Sequence, residues 1–255
     1  KPALIPWAIR LWLEWIARKY RAGGRLQQVE LLTGDIGELF RTDAKAEGGR
    51  ATVGGWETRH GLDTAKARWF FLEIVEADFP WAFSKDGNPQ RFIAALELLG
   101  SLLAIHLFSD EWPRAAVGRF AASGLTDNRG NAYAAQKMLS SKWPMAILLL
   151  ELMELMRTCR IHLDLQWVRR DDNVEADAIT NEEFEMFSEQ LRVPVDPKKV
   201  KWLALSGMFE AGQRLYEAIN AEREAQRKRG PGEAEVPGRA SKRRLMDSLK
   251  MADPW

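Results

Sequence analysis

The chain has 255 residues, 46% hydrophobic and 29% charged, which is enough to bury a sizeable core and excludes a disordered polymer. A net charge of +1 says nothing about partners by itself. The single cysteine, Cys159, excludes an internal disulfide and a cysteine-based zinc site and fits a reducing, intracellular setting, cytoplasmic or nuclear.

Residues 4–20 form an apolar stretch that carries Arg10, Glu14, Arg18 and Lys19, which argues against a signal peptide. The stretch reads as an amphipathic helix opening after Pro6, with Trp7, Leu11 and Trp15 on a packing face and Gly23-Gly24 as its stop. The chain begins at Lys1 and is read as a fragment or as one piece of a longer polyprotein. Residues 36–42 read as a strand running into Asp43. A Gly48-Gly49 turn follows, then a returning strand over 51–56 and a third, aromatic strand over 67–76. Asp86-Gly87-Asn88-Pro89 is a turn, and Pro89 opens a helix to about residue 108.

A fourth strand over roughly 115–126 ends at Thr126-Asp127-Asn128, and Gly130 introduces a helix to about 139. Another helix follows Trp143-Pro144; its apolar run, Met145 to Met156, is interrupted by Glu151 and Glu154 and is too short and charged to span a bilayer. Residues 161–168 alternate strictly, with Ile161, Leu163, Leu165 and Trp167 on one face. A helix begins near residue 173, residues 200–222 have helical period, and 230–240 is a linker. This order implies an α/β fold: a mixed five-stranded sheet with helices on its faces, an N-terminal helix, and a C-terminal helical, flexible extension. The expected segments are 1–34, 35–190 and 191–255. Within the last, residues 223–244 hold eight Lys or Arg against three Glu, a solvated tail or an electrostatic handle for nucleic acid.

Four acids stand where separate cues place an exposed carboxylate. Asp127 ends an apolar strand before a helix, at the sheet edge where open α/β sheets bind ligands; capping that helix is its alternative role, shared with Asn128. Glu97 is the lone acid of the 90–108 helix among Leu96, Leu98, Leu99 and Leu103, and burying it unpaired is costly, so it should face a metal, a partner or water. Asp43 follows the first strand, with Asp35 as competitor. Asp177 lies one helical turn after Asn173, a candidate cap, with Glu175 and Asp172 nearby. Together they would form an oxygen-only pocket suited to two Mg²⁺ ions and phosphodiester chemistry. His60, His106 and His162 show no ligand spacing, and His106 reads as a satisfied core residue. Loops and elbows of the forms G-x-x-x-x-G-K-[ST], G-x-S-x-G and G-x-G-x-x-G are absent.

The strand order, the four acids, and the segments L-T-D-N-R-G-N-A-Y-A-A-Q-K-M and W-V-R-R-D-D-N-V-E-A-D-A-I-T resemble a type 1 ribonuclease H domain over about residues 36–185. More specifically, they resemble the domain that follows the reverse transcriptase of DIRS-like retroelements. The resemblance implies a metal-dependent endoribonuclease that cleaves the RNA strand of RNA–DNA hybrids with two Mg²⁺ ions, Mn²⁺ being an alternative. One ion activates a water and the other stabilises the leaving oxygen. It assigns Asp43, Glu97, Asp127 and Asp177 as catalytic metal ligands, with Asp43 bridging the two ions. Lys137, Lys142, Arg169 and Arg170 become phosphate contacts. Residues 1–30 become the end of a thumb or connection region, and the reverse transcriptase of the same polyprotein a partner; no membrane is implied. Many family members carry a histidine in the loop before the last helix, where this chain has Arg169-Arg170-Asp171-Asp172. That departure motivates the alternative, a catalytically inactive nucleic-acid-binding or scaffold module.

Overall fold

The computed structural model describes residues 6–23, 32–84, 87–140 and 142–228. Asp86 of the expected turn, and most of the expected basic tail, from Arg229 on, lie outside the described residues. The elements are α1 (Trp7–Arg21), β1 (Leu32–Glu47), β2 (Arg50–Glu57), β3 (Trp69–Ile74), α2 (Ile93–Phe108), β4 (Arg119–Thr126), α3 (Arg129–Lys137), α4 (Met145–Cys159), β5 (Ile161–Trp167), α5 (Val174–Thr180) and α6 (Leu205–Lys228). The described residues up to Leu215 form one compact unit, and those from Tyr216 on belong to a second. α1 therefore belongs to the same unit as the sheet.

The five strands order β3-β2-β1-β4-β5. β1, β2 and β3 are antiparallel neighbours, as hairpin connections require, while β4 and β5 join by helical crossovers and run parallel to β1. The helices cover both faces. α2 lies over Val53, where a Cβ at Gly100 would sit 3.0 Å from its methyl group, and α5 lies over Gly54. Successive strand residues point to opposite faces, so these two helices are on opposite sides of the sheet. Gly54 is required there: a Cβ would come within 2.4 Å of Ile179 Cγ2.

α2 is almost wholly apolar and buried, from Ala95 to Ile105. The stretch Gln90–Phe108 is long and apolar enough to cross a membrane, yet 67% of it is buried inside the fold, as in the core helix of a globular domain. A second cluster, Trp56, Trp69, Ile179 and Phe187, seats α5 against β2 and β3. α1 docks by the expected face: Trp7 and Leu11 are buried, Trp7 packs on Trp143 at 6.1 Å between ring centroids, and Lys19 pairs with buried Glu154 at 2.6 Å.

Three local expectations change in the folded chain. β1 does not stop before Asp43 but continues to Glu47, because the β1–β2 hairpin stays paired through Glu47↔Arg50. Asn173 does not cap α5; its side-chain amide instead donates to the Thr42 carbonyl at 3.1 Å, pinning the helix start to β1. Trp167 follows the alternation of β5 but is 47% exposed, since it stands at the strand's end, where its indole N–H donates to the Asp127 carbonyl at 3.0 Å.

Glu151 on α4 shows how the fold uses one of the acids that break that helix's apolar run. It is fully buried and accepts from the backbone N–H groups of Leu203, Ala204 and Leu205 at the start of α6. Burial alone would raise its pKa, but the bonds from His106 and from those three amides hold it below the ordinary glutamate range. His106 is thereby a satisfied core histidine, 3.4 Å from Glu151 Oε1 and edge-on to Trp202. Glu151→Ala strands three amide donors and should cost about 3 kcal/mol in unfolding free energy, read by chemical denaturation. A loss below about 1 kcal/mol would show that water replaces the carboxylate.

Candidate active site

Two neighbouring parallel strands position the first pair of acids. Thr42 on β1 stands opposite Thr126 on β4, so Asp43 and Asp127 are the next residues on each. β4 ends there while β1 runs on, leaving Asp43 without a strand neighbour on that side. The gap opens one face of the sheet to the other. Glu97 enters it from α2, four residues before Ser101, whose hydroxyl contacts Thr42 Oγ1 at 3.3 Å and fixes the helix rotation. Carboxylate oxygens of Asp43, Glu97 and Asp127 lie within 4.8 Å of one another.

Asp177 arrives from α5, one turn after pinned Asn173. Its connection to the trio runs through Arg170, whose Nε stands 3.4 Å from Asp127 Oδ2 and 3.5 Å from Asp177 Oδ1. The cap of α3 is Asn128, whose side chain accepts from the Asn131 N–H at 3.1 Å, so Asp127 is released from capping.

The electrostatics are those of crowded anions. Burial raises the Asp43 carboxyl to about 6; the Thr180 hydroxyl bond opposes this, and the charges of Asp127 and Asp177 add to it. Glu97 is pushed well above its ordinary value, first by burial, then by the charges of Asp43 and Asp127. Asp43 Oδ1 is buried with no hydrogen-bond partner among the described residues. An orphaned buried oxygen, aligned carboxylates and an all-oxygen donor set fit a hard divalent cation.

A second group of potential ligands, Glu57, His60 and Glu111, also falls within 4.8 Å. There the Glu57 carboxylate is already held by the Arg68 guanidinium through bonds of 2.8 and 3.2 Å. That charge is answered by a buried bidentate partner, whereas the Asp43 group meets only the largely exposed Arg170 and keeps one orphaned oxygen. Of the competing acids, Asp35 is turned to the Gly37 N–H at 2.8 Å, and Glu175 lies 3.9 Å from Arg41.

The basic residues singled out from sequence divide. Arg170 joins the acids; Lys137 lies at the end of α3 with its ammonium 4.5 Å from the Tyr133 ring centroid; Lys142 and Arg169 are exposed. Sequence reading missed Thr180 and Asn181, which bond Asp43 and Asp177 respectively. Their only signal was position, three and four residues after Asp177, at the last residue and C-cap of α5.

No family model matches the chain, and no curated protein matches it. Among solved structures it is similar to ribonuclease H1 from the halophilic archaeon Halobacterium salinarum NRC-1, with 14% identity and a TM-score of 0.39 over 58% of this chain and 98% of that one. It is similar also to the N-terminal ribonuclease H domain of Rv2228c from Mycobacterium tuberculosis, with 16% identity and a TM-score of 0.42 over 58% and 94%. A third is LC11-RNase H1, solved in complex with an RNA/DNA hybrid, with 17% identity and a TM-score of 0.39 over 56% and 93%. The 3-2-1-4-5 sheet, its mixed pairing and the helices on both faces define the fold. The fold is ribonuclease H-like. Within that ribonuclease H-like fold, the acids meet at the ends of the two central strands.

Proposed function

We propose that this chain is a metal-dependent endoribonuclease acting on the RNA strand of RNA–DNA hybrids, as part of a retroelement reverse transcriptase polyprotein. The observation that carries it is the convergence of Asp43, Glu97 and Asp127, one carboxylate oxygen of Asp43 being left unpartnered. Asp43, Glu97, Asp127 and Asp177 would hold Mg²⁺, which when bound supplies an activated water and charge stabilisation at the scissile phosphate. Asp43, buried between elements from both faces, is the anchor. Asp127, 13% exposed, and Asp177, 37% exposed, line the open side where a phosphodiester would approach. Lys137, Lys142, Arg169 and the basic stretch 223–244 are the proposed backbone contacts. The proposed setting is intracellular, without a membrane.

A second reading, an inactive nucleic-acid-binding module, is favoured by Arg170. Its guanidinium stands between Asp127 and Asp177, where its charge can substitute for that of a cation. Mg²⁺-dependent cleavage of an end-labelled RNA–DNA hybrid separates the two. Cleavage supports the first reading, and retained hybrid binding without cleavage supports the second. On the first reading Arg170 competes with the cation, so Arg170→Ala should tighten Mg²⁺ binding by about two- to fivefold, the worth of an exposed ion pair. Weaker Mg²⁺ binding in that variant would count against competition.

A further inference from the structure

Thr180, the last residue of α5, and Asn181, its C-cap, both touch the acids, and both are anchored elsewhere. Thr180 is 2% exposed, and its hydroxyl donates to Asp43 Oδ2 at 2.6 Å, with the Asp177 carbonyl at 2.9 Å as its other acceptor. The backbone carbonyl of Thr180 in turn accepts from Thr52 Oγ1 at 2.9 Å, tying the hydroxyl's position to β2. One oxygen of Asp43 is therefore held, and the other, Oδ1, is the orphan. A carboxylate with one oxygen fixed cannot rotate to hide the other.

Asn181 does the same for Asp177. Its amide nitrogen donates to Asp177 Oδ2 at 2.8 Å and to the Asp177 carbonyl at 2.9 Å, and its amide oxygen accepts from Lys45 Nζ at 2.8 Å. The amide has one sensible orientation, since a carboxylate only accepts and an ammonium only donates. Lys45 lies on β1 two residues beyond Asp43, so Asn181 couples the strand that carries one acid to the helix that carries another.

We propose that Thr180 and Asn181 are positioning residues that orient Asp43 and Asp177 for a divalent cation. Thr180 selects the Asp43 oxygen presented to the cation, and Asn181, its amide oriented by the Lys45 ammonium that also pairs with Glu47 at 3.2 Å, fixes the orientation of Asp177. Partners of this kind fix the angle of ligating side chains, and losing one commonly weakens binding about 10–100-fold. The proposal rests on the metal-site reading of the preceding section.

The test is titration of the full chain with Mn²⁺, followed by isothermal calorimetry and by water-proton relaxation. Thr180→Val keeps shape and removes the donor; Thr180→Ser keeps the donor. T180V should bind Mn²⁺ about 10–100-fold more weakly, and T180S should restore binding. Wild-type affinity in T180V, or equal weakening in both variants, overturns the role of the hydroxyl. Circular dichroism reports folding; if T180V does not fold, Asn181→Leu, at a half-buried position, carries the test. N181L should weaken Mn²⁺ in the same range, and wild-type affinity there overturns the proposal. A wild-type chain that takes up no Mn²⁺ sinks the metal-site reading itself, whereas a wild-type chain that binds beside unaffected variants sinks only this one.

Discussion

Asp127→Asn should lower hybrid cleavage by about 10²-fold or more while leaving the metal-free fold intact or more stable. Asp127 is the one acid of the trio that is both partly exposed and free of a helix-capping duty, because Asn128 takes that role. Its charge helps drive the carboxyls of Asp43 and Glu97 upward, so removing it relieves repulsion among buried anions. The lost contact with Arg170, a side chain 65% exposed, is worth little in return. The net gain expected in unfolding free energy is up to about 1 kcal/mol without metal. Gel assays with a labelled hybrid, and thermal unfolding with and without Mg²⁺, read both halves. A variant that cuts at the wild-type rate removes Asp127 from the metal site.

The second large effect concerns pH. Asp43 rises from 3.8 when free to about 6 in the fold, so between these values the native state binds more protons than the unfolded chain. The sign follows: the Asp43 contribution destabilises the metal-free protein above about pH 6, is progressively relieved as pH falls, and vanishes below about pH 4. The full cost is on the order of 3 kcal/mol. Glu97 acts in the same direction, and Glu151, held below its ordinary range, acts in the opposite one. Comparison with Asp43→Asn isolates the contribution of the Asp43 carboxyl. Without metal, the variant should be more stable than wild type at pH 7.5 by up to about 3 kcal/mol, a gap that closes near pH 4. Added Mg²⁺ should reverse the order at pH 7.5, because only the wild type retains the anchoring carboxylate. A gap that is the same at both pH values would mean that Asp43 is not burdened by its charge.

These expectations draw on a candidate site whose acids are each singled out by a local cue in the sequence. Asp127 was legible because an apolar run ends in Thr-Asp-Asn and a helix follows, a local pattern that survives in the fold. Glu97 was legible because a lone carboxylate on an apolar helix needs a reason to be there. For Asp43 the local cue and the folded geometry differ. The sequence places it after a strand, but β1 continues, and what isolates Asp43 is the stopping of β4 beside it. No property of residues 36–47 encodes where another strand terminates.

The chain's order of apolar alternation, helical period and turn residues determined its elements, the sheet class and the four candidate acids, since each depends on neighbours within a few positions. The tertiary structure decided what those acids touch. Asn173 reaches Thr42 rather than capping its own helix, Arg170 enters between two carboxylates, and Thr180 and Asn181 become their anchors. These contacts join residues as far as 137 positions apart, as between Asp43 and Thr180, and depend on register and helix rotation. Local periodicity specifies neither, because both are set by the packing of whole elements against one another.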